Sequence, residues 1–321
     1  MMGGLMMCTG IQMTYDQGVV VGRTMDVEGP VPWNIIYQPA DYPAADDLYQ
    51  GGTYCGPYRR LGIGFRDLDP LKEGVNDQGL IGITNEFVGP KARFAKAPQP
   101  GKKNLSSYHF LTYALANYAS LAEILDDLDQ LCLANHDREG QAVICPDFHY
   151  MFTDASQACL VLEPDRGRLI ATLNPYGVMT NSPDIDKHFK SLEKTLAGDD
   201  LRAFNAAKNL PGGYDPKSRF IKAYYLKAMT PPIQEEGQAQ AAAFDVLSAL
   251  TLPRGFIRPG ARSEGTFTRY SSVYASQSQT LTVRSGTNPL PYQLSLKELA
   301  QASDRRAFFL PDHFQASSLE I

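Results

Sequence analysis

Cysteine is scarce in this chain, and what there is does not pair. Cys8, Cys55, Cys132, Cys145 and Cys159 are an odd count with no C-x-x-C spacing, which argues against a disulfide framework and against a zinc knuckle. Tryptophan occurs once, at Trp33. No apolar run approaches the roughly 20 residues that span a bilayer, and residues 1–7 are shorter than the charged and apolar regions of a signal peptide together. The expected setting is therefore cytoplasmic, with no membrane partner. Basic charge is not in excess: 30 Lys and Arg against 35 Asp and Glu give a net charge of -5. The Lys and Arg are scattered, so nucleic acid is not an expected partner. His109, His136, His149, His188 and His313 never fall at a ligand spacing such as H-x-x-x-H, so each reads as structural or solvated and no metal is expected.

What is present is an ordinary globular balance, 43 % hydrophobic and 20 % charged over 321 residues, enough to bury a sizeable core. Short alternating runs mark strands. Residues 8–15, the turn Asp16-Gln17-Gly18 and the apolar 19–22 form a hairpin; 149–153, 158–162 and 169–173 form a meander; 266–275 and 278–284 form a further pair. Ser120 with Glu123 has the capping-box spacing ahead of apolar positions at helical intervals, which predicts an amphipathic helix over 121–131. Helices are also expected at 106–118, 184–196, 217–229 and 238–250. The order is strands, helices, strands, helices, strands, without βαβ alternation. That predicts an α+β fold of antiparallel sheets covered by helices.

The stretch "LMMCTGIQMTYDQG", residues 5–18, carries the first chemistry. If the hairpin closes with Tyr15 opposite Val19, Cys8 falls opposite Asp26 to within about a residue, with Arg23 a short step away in "GRTMD". A thiol attacks as thiolate, which a guanidinium favours. No histidine lies near in sequence. The remaining base is the α-amine that Cys8 would carry once residues 1–7 were removed; with an ordinary pKa of roughly 8, it is partly neutral near physiological pH. Initiation at Met7 followed by an aminopeptidase, or autocatalytic loss of a short propeptide, would each expose it. The expected organisation is a leader, 1–7, and one domain, 8–321. Arg23 and Asp26, three apart, face opposite sides of a flat strand, so bringing both to the thiol requires a bulge or a bend.

"MCTGIQMTYDQGVVVGRTMDVE" resembles the start of the choloylglycine hydrolases, which are N-terminal-nucleophile hydrolases. "GVNDQGL" at 74–80, "GVMTNSPDIDKH" at 177–188, "LPGGYDPKSRF" at 210–220 and "FTRYSSVY" at 267–274 follow in that family's order. The resemblance implies a four-layer αββα sandwich of two antiparallel sheets flanked by helices, needing no cofactor, and a homo-oligomer, commonly a tetramer. It also implies cleavage of a small-molecule N-acyl amide of bile salt or penicillin V type through an acyl-enzyme; fatty acyl amides, or binding without catalysis, are the alternatives. It assigns Cys8 as nucleophile, Asp26 as the carboxylate that bonds its thiol or amine, Arg23 as a neighbour biasing the thiol toward thiolate, Asn181 as side-chain oxyanion donor and Arg219 as support for that network. Glu86, with Asn85 beside it, stands where the family's backbone oxyanion donor lies, in place of the usual asparagine or tyrosine. A carboxylate turned toward the pocket would repel anionic substrates unless offset by cations such as those of "PYRR" at 57–60 or "PKARFAK" at 90–96. Trp33 and Phe87, with Tyr37 and Phe94, are the apolar residues expected to wall the acyl pocket.

Overall fold

A computed structural model describes residues 7–29, 31–89, 93–196, 210–258 and 265–314. Apart from Met7, the expected leader lies outside them. The strands are β1 (Thr9–Tyr15), β2 (Gly18–Val27), β3 (Trp33–Gln38), the short pair β4 (Ala44–Ala45) and β5 (Thr53–Tyr54), β6 (Arg60–Phe65), β7 (Leu71–Asn76), β8 (Ile81–Glu86) and β9 (Lys103–Leu105). After them come β10 (Leu131–Leu133), β11 (Phe148–Thr153), β12 (Cys159–Asp165), β13 (Arg168–Leu173), β14 (Val178–Met179), β15 (Phe267–Ala275), β16 (Thr280–Ser285), β17 (Tyr292–Ser295) and β18 (Arg306–Phe309). The helices are α1 (Ser107–Asn117), α2 (Leu121–Asp127), α3 (Ile185–Leu196), α4 (Pro216–Ala228) and α5 (Glu236–Ser248).

Two antiparallel sheets stack face to face. One has the order β14-β1-β2-β15-β16-β17, the other β13-β12-β11-β8-β7-β6-β3-β18. Helices α4 and α5 cover the outer face of the six-stranded sheet and α1 covers the outer face of the eight-stranded one, giving the expected αββα layering. Both faces of β2 are consequently enclosed, and all ten of its residues are buried, which is why "GVVVGRTMDV" reads as a run rather than an alternation.

Glycines set how closely the layers approach. A Cβ on Gly10 would lie 2.2 Å from Ile83 Cδ1 of the facing sheet, whereas one on Gly22 would lie 3.0 Å from Leu247 of α5. These two fix the parity of the central hairpin: Cys8 and Gly10 face between the sheets, as do Arg23 and Met25, while Thr9, Thr24 and Asp26 face the helices.

Two expectations shift by small steps. The hairpin closes on Tyr15 opposite Gly18, one residue tighter than Tyr15 opposite Val19, so Cys8 lies level with Met25. Gly18 can join the strand because Tyr15 folds over it: a Cβ there would stand 2.5 Å from Tyr15 Oη. The helix expected over 121–131 ends at Asp127, passes through a 3₁₀ turn at Leu128–Gln130 and gives way to β10. Leu131, Cys132 and Leu133 are buried and pair in parallel with β9, so strand pairing overrides the helical spacing at its end. The cap itself forms, with Ser120 Oγ accepting from the Glu123 N–H at 3.3 Å.

Candidate active site

Cys8 stands at the head of β1 and is fully buried. Its sulfur lies 3.5 Å from Arg23 Nη2 and 3.8 Å from Met25 Sδ, both on the inner face of β2. Burial pushes the thiol up; the Arg23 charge opposes this, the Asp26 charge adds to it, and the Asp26 backbone N–H and Arg219 pull down. Arg23 thus acts in the expected direction but does not win while the chain continues into Met7. Met7 is itself buried, with its N–H on the Asp26 carbonyl at 3.0 Å.

Asp26 leaves the strand on the other face. Its carboxylate accepts from Thr268 Oγ1 at 2.5 Å and Thr24 Oγ1 at 3.1 Å, rather than from the Cys8 thiol or nitrogen. The bulge or bend expected to bring Arg23 and Asp26 together on the thiol does not form in β2, whose register against β1 is regular; the irregularity lies on the partner strand, between Thr268 and Tyr270 of β15, opposite Asp26 and Met25. It seats Thr268 against Asp26 and leaves Arg23 and Asp26 on opposite faces. Burial raises the Asp26 carboxyl to about 6, against the pull of Arg219, the two threonine hydroxyls and Arg23.

Asn181 and Arg219 close the helix side. Asn181 Oδ1 accepts from the Cys8 N–H at 2.9 Å and from Arg219 Nη2 at 2.8 Å. Asn181 Nδ2 donates to the Glu86 carbonyl at 3.2 Å. Arg219 Nη1 reaches the Cys8 carbonyl at 2.6 Å and Thr9 Oγ1 at 2.7 Å, and Nε reaches the Tyr214 carbonyl at 2.9 Å. It is placed by the start of α4, where Asp215 caps the helix through the Ser218 N–H at 3.0 Å and Pro216 occupies the first turn.

Glu86 pairs directly with Phe148 of β11, so the two side chains share the α1 face of the eight-stranded sheet. The Glu86 side chain therefore points away from Cys8 while its carbonyl meets Asn181. Asn85 enters through its side chain: Oδ1 accepts from Arg23 Nε at 3.4 Å, and Nδ2 donates to the carbonyls of Met179 at 2.9 Å and Thr180 at 3.2 Å.

The residues expected to wall the acyl pocket separate. Trp33 stacks on Phe65 at 4.8 Å and meets Tyr270 edge-on at 5.6 Å; with Phe65, Leu68 and Phe309 it lines an apolar cavity of about 570 Å³. Tyr270 is paired with Met25, so the two stand between this wall and the Cys8 sulfur, which does not itself line the cavity. Phe87 is fully buried between His149 and the Arg93 guanidinium and lines none of this cavity. Tyr37 is buried with its hydroxyl on the Ala302 carbonyl, and Phe94 packs into the core under α1. Arg59 pairs with Asp77 and Arg60 with Gln38, so neither is turned to Cys8; residues 90–92 lie outside the described residues. A cavity of about 980 Å³ lies at the far end of β1, between Gln12, Tyr15, Tyr176 and Lys227. It takes no part in the site.

The sequence reading missed several partners. Glu73 holds Arg23, with Oε2 2.5 Å from Nη1. His188 Nε2 donates to the Asn181 carbonyl at 2.9 Å and His149 Nε2 to the Thr180 carbonyl at 2.8 Å. Since a carbonyl only accepts, each Nε2 carries the proton; burial lowers His188 to about 4, consistent with the neutral ring. Glu73 had one legible signal, a charge standing between the apolar Leu71 and Val75 on alternate positions of "LKEGVN". The histidines had none, because their partners are backbone carbonyls supplied by tertiary packing.

Comparison with known proteins bears on this arrangement. The family model of linear amide C–N hydrolases, choloylglycine hydrolase family, matches residues 8–300. A conjugated bile acid hydrolase of Lactobacillus gasseri is 26% identical over 290 residues, covering 85% of this chain and 91% of that protein. A bile salt hydrolase/transferase of Clostridium perfringens is 26% identical over 284 residues, covering 83% of this chain and 85% of that one. Among solved structures, a mutant conjugated bile acid hydrolase from Clostridium perfringens superposes with a TM-score of 0.83 at 22% identity, over 98% of this chain and 100% of that one. A penicillin V acylase from Agrobacterium tumefaciens does so at 0.75 and 18%, over 94% and 90%.

Proposed function

Because this chain belongs to the choloylglycine hydrolase family of linear amide C–N hydrolases, we propose that it cleaves the amide of a small N-acyl substrate, a conjugated bile salt or a phenoxyacetyl amide of penicillin V type, with Cys8 as its N-terminal nucleophile. The observation that carries this reading is the convergence on one residue of Arg23 at the sulfur, Asn181 at the nitrogen and Arg219 at the carbonyl. In the form described, Cys8 nitrogen is still a peptide N–H. Removal of residues 1–7 turns it into an amine, and the match to the family begins at Cys8.

The freed amine keeps one N–H on Asn181 Oδ1, which orients its lone pair toward the thiol, and it accepts the thiol proton as the sulfur attacks the acyl carbonyl. Opening the chain at Cys8 admits water, which relieves the burial that raises the thiol and lets the Arg23 charge prevail. An amide NH₂ has two protons. One Asn181 Nδ2 proton meets the Glu86 carbonyl, and the other is assigned to the developing oxyanion with a backbone N–H near Glu86. The protonated amine then passes its proton to the departing nitrogen, and water releases the acyl group. Trp33 and its cavity are assigned to the apolar part of the substrate. With Glu86 turned away, an anionic leaving group meets no carboxylate there. Among the described residues no helix is long and apolar enough to cross a membrane, and the reading carries with it a cytoplasmic, homo-oligomeric enzyme.

The test is a panel of phenoxyacetyl, glycine- and taurine-conjugated bile acid and fatty acyl amides, run on protein whose N-terminal mass has been verified. Turnover of either of the first two classes with Cys8 as first residue is expected. Exclusive turnover of fatty acyl amides, or activity that survives Cys8→Ala, would overturn it.

A further inference from the structure

Glu73 reaches across the interface between the sheets. Its Oε2 is 2.5 Å from Arg23 Nη1, and its Oε1 accepts from Ser272 Oγ at 2.6 Å and Tyr274 Oη at 3.3 Å, both on β15. Glu73, Arg23 and Cys8 are all fully buried. Arg23 therefore divides its donors: Nη2 to the sulfur, Nη1 to the carboxylate and Nε to Asn85. A buried ion pair is an unfavourable way merely to fill a core, since apolar groups of equal volume avoid the desolvation. We propose that Glu73 is a positioning residue for hydrolysis at Cys8: it clamps the guanidinium so that Nη2 meets the sulfur, and its charge tempers the pull of that guanidinium on the thiol.

Both halves matter chemically. A guanidinium free to turn loses the sulfur. One left fully positive stabilises the thiolate so strongly that its nucleophilicity falls. The other titratable groups facing the pair are Tyr270 and Tyr274 from β15, both held well above the usual phenol range by burial and the Glu73 charge. Lys72 occupies the opposite face of β7 with its Nζ over the Tyr108 and Phe148 rings, and burial lowers it well below the ordinary lysine range. Asp26 and Arg219 lie beyond Cys8 on the helix side.

The inference rests on Cys8 being the nucleophile, and the experiment separates the two. In processed enzyme, the pH midpoint for alkylation of Cys8 by iodoacetamide, located by peptide mass, is compared between wild type, Glu73→Gln and Glu73→Asp, alongside kcat and KM. Glutamine keeps an acceptor for Nη1 without the charge. Its midpoint is expected to fall by about one unit, with kcat down by about fivefold or more and KM changing less than about twofold; aspartate restores the midpoint. A folded, processed Glu73→Gln protein with the wild-type midpoint overturns the proposal. Should that variant not fold, Ser272→Ala with Tyr274→Phe keeps both charges but frees the carboxylate to draw Arg23 more strongly. A raised midpoint and lowered kcat are then expected, and wild-type values overturn it. Failure of the underlying reading looks different: hydrolysis persists after Cys8 is alkylated or replaced.

Discussion

Two fully buried arginines flank Cys8, and they are held in opposite ways. Arg23, between the sheets, shares its charge with the Glu73 carboxylate. Arg219, on the helix side, is met by the carbonyls of Cys8 and Tyr214, the Thr9 hydroxyl and the Asn181 amide oxygen, all of them neutral. Burial lowers Arg219 from its ordinary value; Arg23 moves up, because the charges of Cys8 and Glu73 outweigh its burial. A guanidinium already paired with an anion adjusts a neighbour. One whose direct contacts are all dipoles, with the Asp26 and Asp215 charges acting on it without contact, is placed to meet negative charge that arises during reaction. In the proposed mechanism the thiol is thus adjusted from one side, and the carbonyl chemistry is supported from the other.

That contrast can be broken at several points. Cys8→Ala removes the group both sides serve, and amide hydrolysis is expected to fall by about 10⁴-fold or more with the circular dichroism unchanged; residual turnover above that level in a clean preparation contradicts the assignment. On the helix side, Asn181→Ala is expected to lower kcat by about 10²-fold or more. A change under about twofold would remove it from the oxyanion site. On the inter-sheet side, Glu73→Gln leaves Arg23 buried without its counter-charge, so urea unfolding should show a loss of about 3 to 5 kcal/mol. Arg219 has no such charge partner in contact, and the prediction fails if Glu73→Gln is as stable as wild type.

Asp26 provides a test through pH. Its folded value of about 6 lies above the unfolded value of roughly 3.9. The folded state therefore binds this proton more tightly, and the associated stability is present below about pH 4 and lost as pH rises toward 6 and above. Asp26→Asn should abolish that component, about 2 to 3 kcal/mol between pH 4 and pH 7. Identical pH slopes for the two proteins in urea titrations would count against it. The smallest effect is expected at the cap of α4, where Asp215→Ala should cost about 1 kcal/mol of stability and loosen Arg219; a change in thermal midpoint too small to detect would exclude a role for that cap.

The sequence made one side of this comparison easier to read than the other. Cys8, Arg23 and Asp26 fall within a single hairpin, where register follows from counting; the tighter turn moved Cys8 level with Met25 through the packing of Tyr15 on Gly18. Antiparallel sheets covered by helices were legible because runs of short strands without βαβ alternation leave few alternatives; the four-layer order came from the resemblance. Asn181 and Arg219 were recognisable only through resemblance, since they lie 173 and 211 positions away from their partner Cys8. His149 and His188 were not legible, because their partners are backbone carbonyls that no local pattern encodes, and Glu73 showed only as a charge in the buried strand "LKEGVN", with its partner Arg23 fifty residues away. Which face Asp26 takes followed from alternation, and Thr24 shares that face two residues away, yet its second hydroxyl partner, Thr268, depends on a bulge in β15, a strand more than two hundred residues later.

The central claim is that Cys8, as first residue, carries both the attacking sulfur and the amine that deprotonates it. Intact mass of active enzyme, taken before and during turnover of a slowly released acyl substrate, tests this most directly. A chain beginning at Cys8 that gains one acyl group on that residue is predicted; active protein that retains residues 1–7, or acylation at any other position, would contradict it.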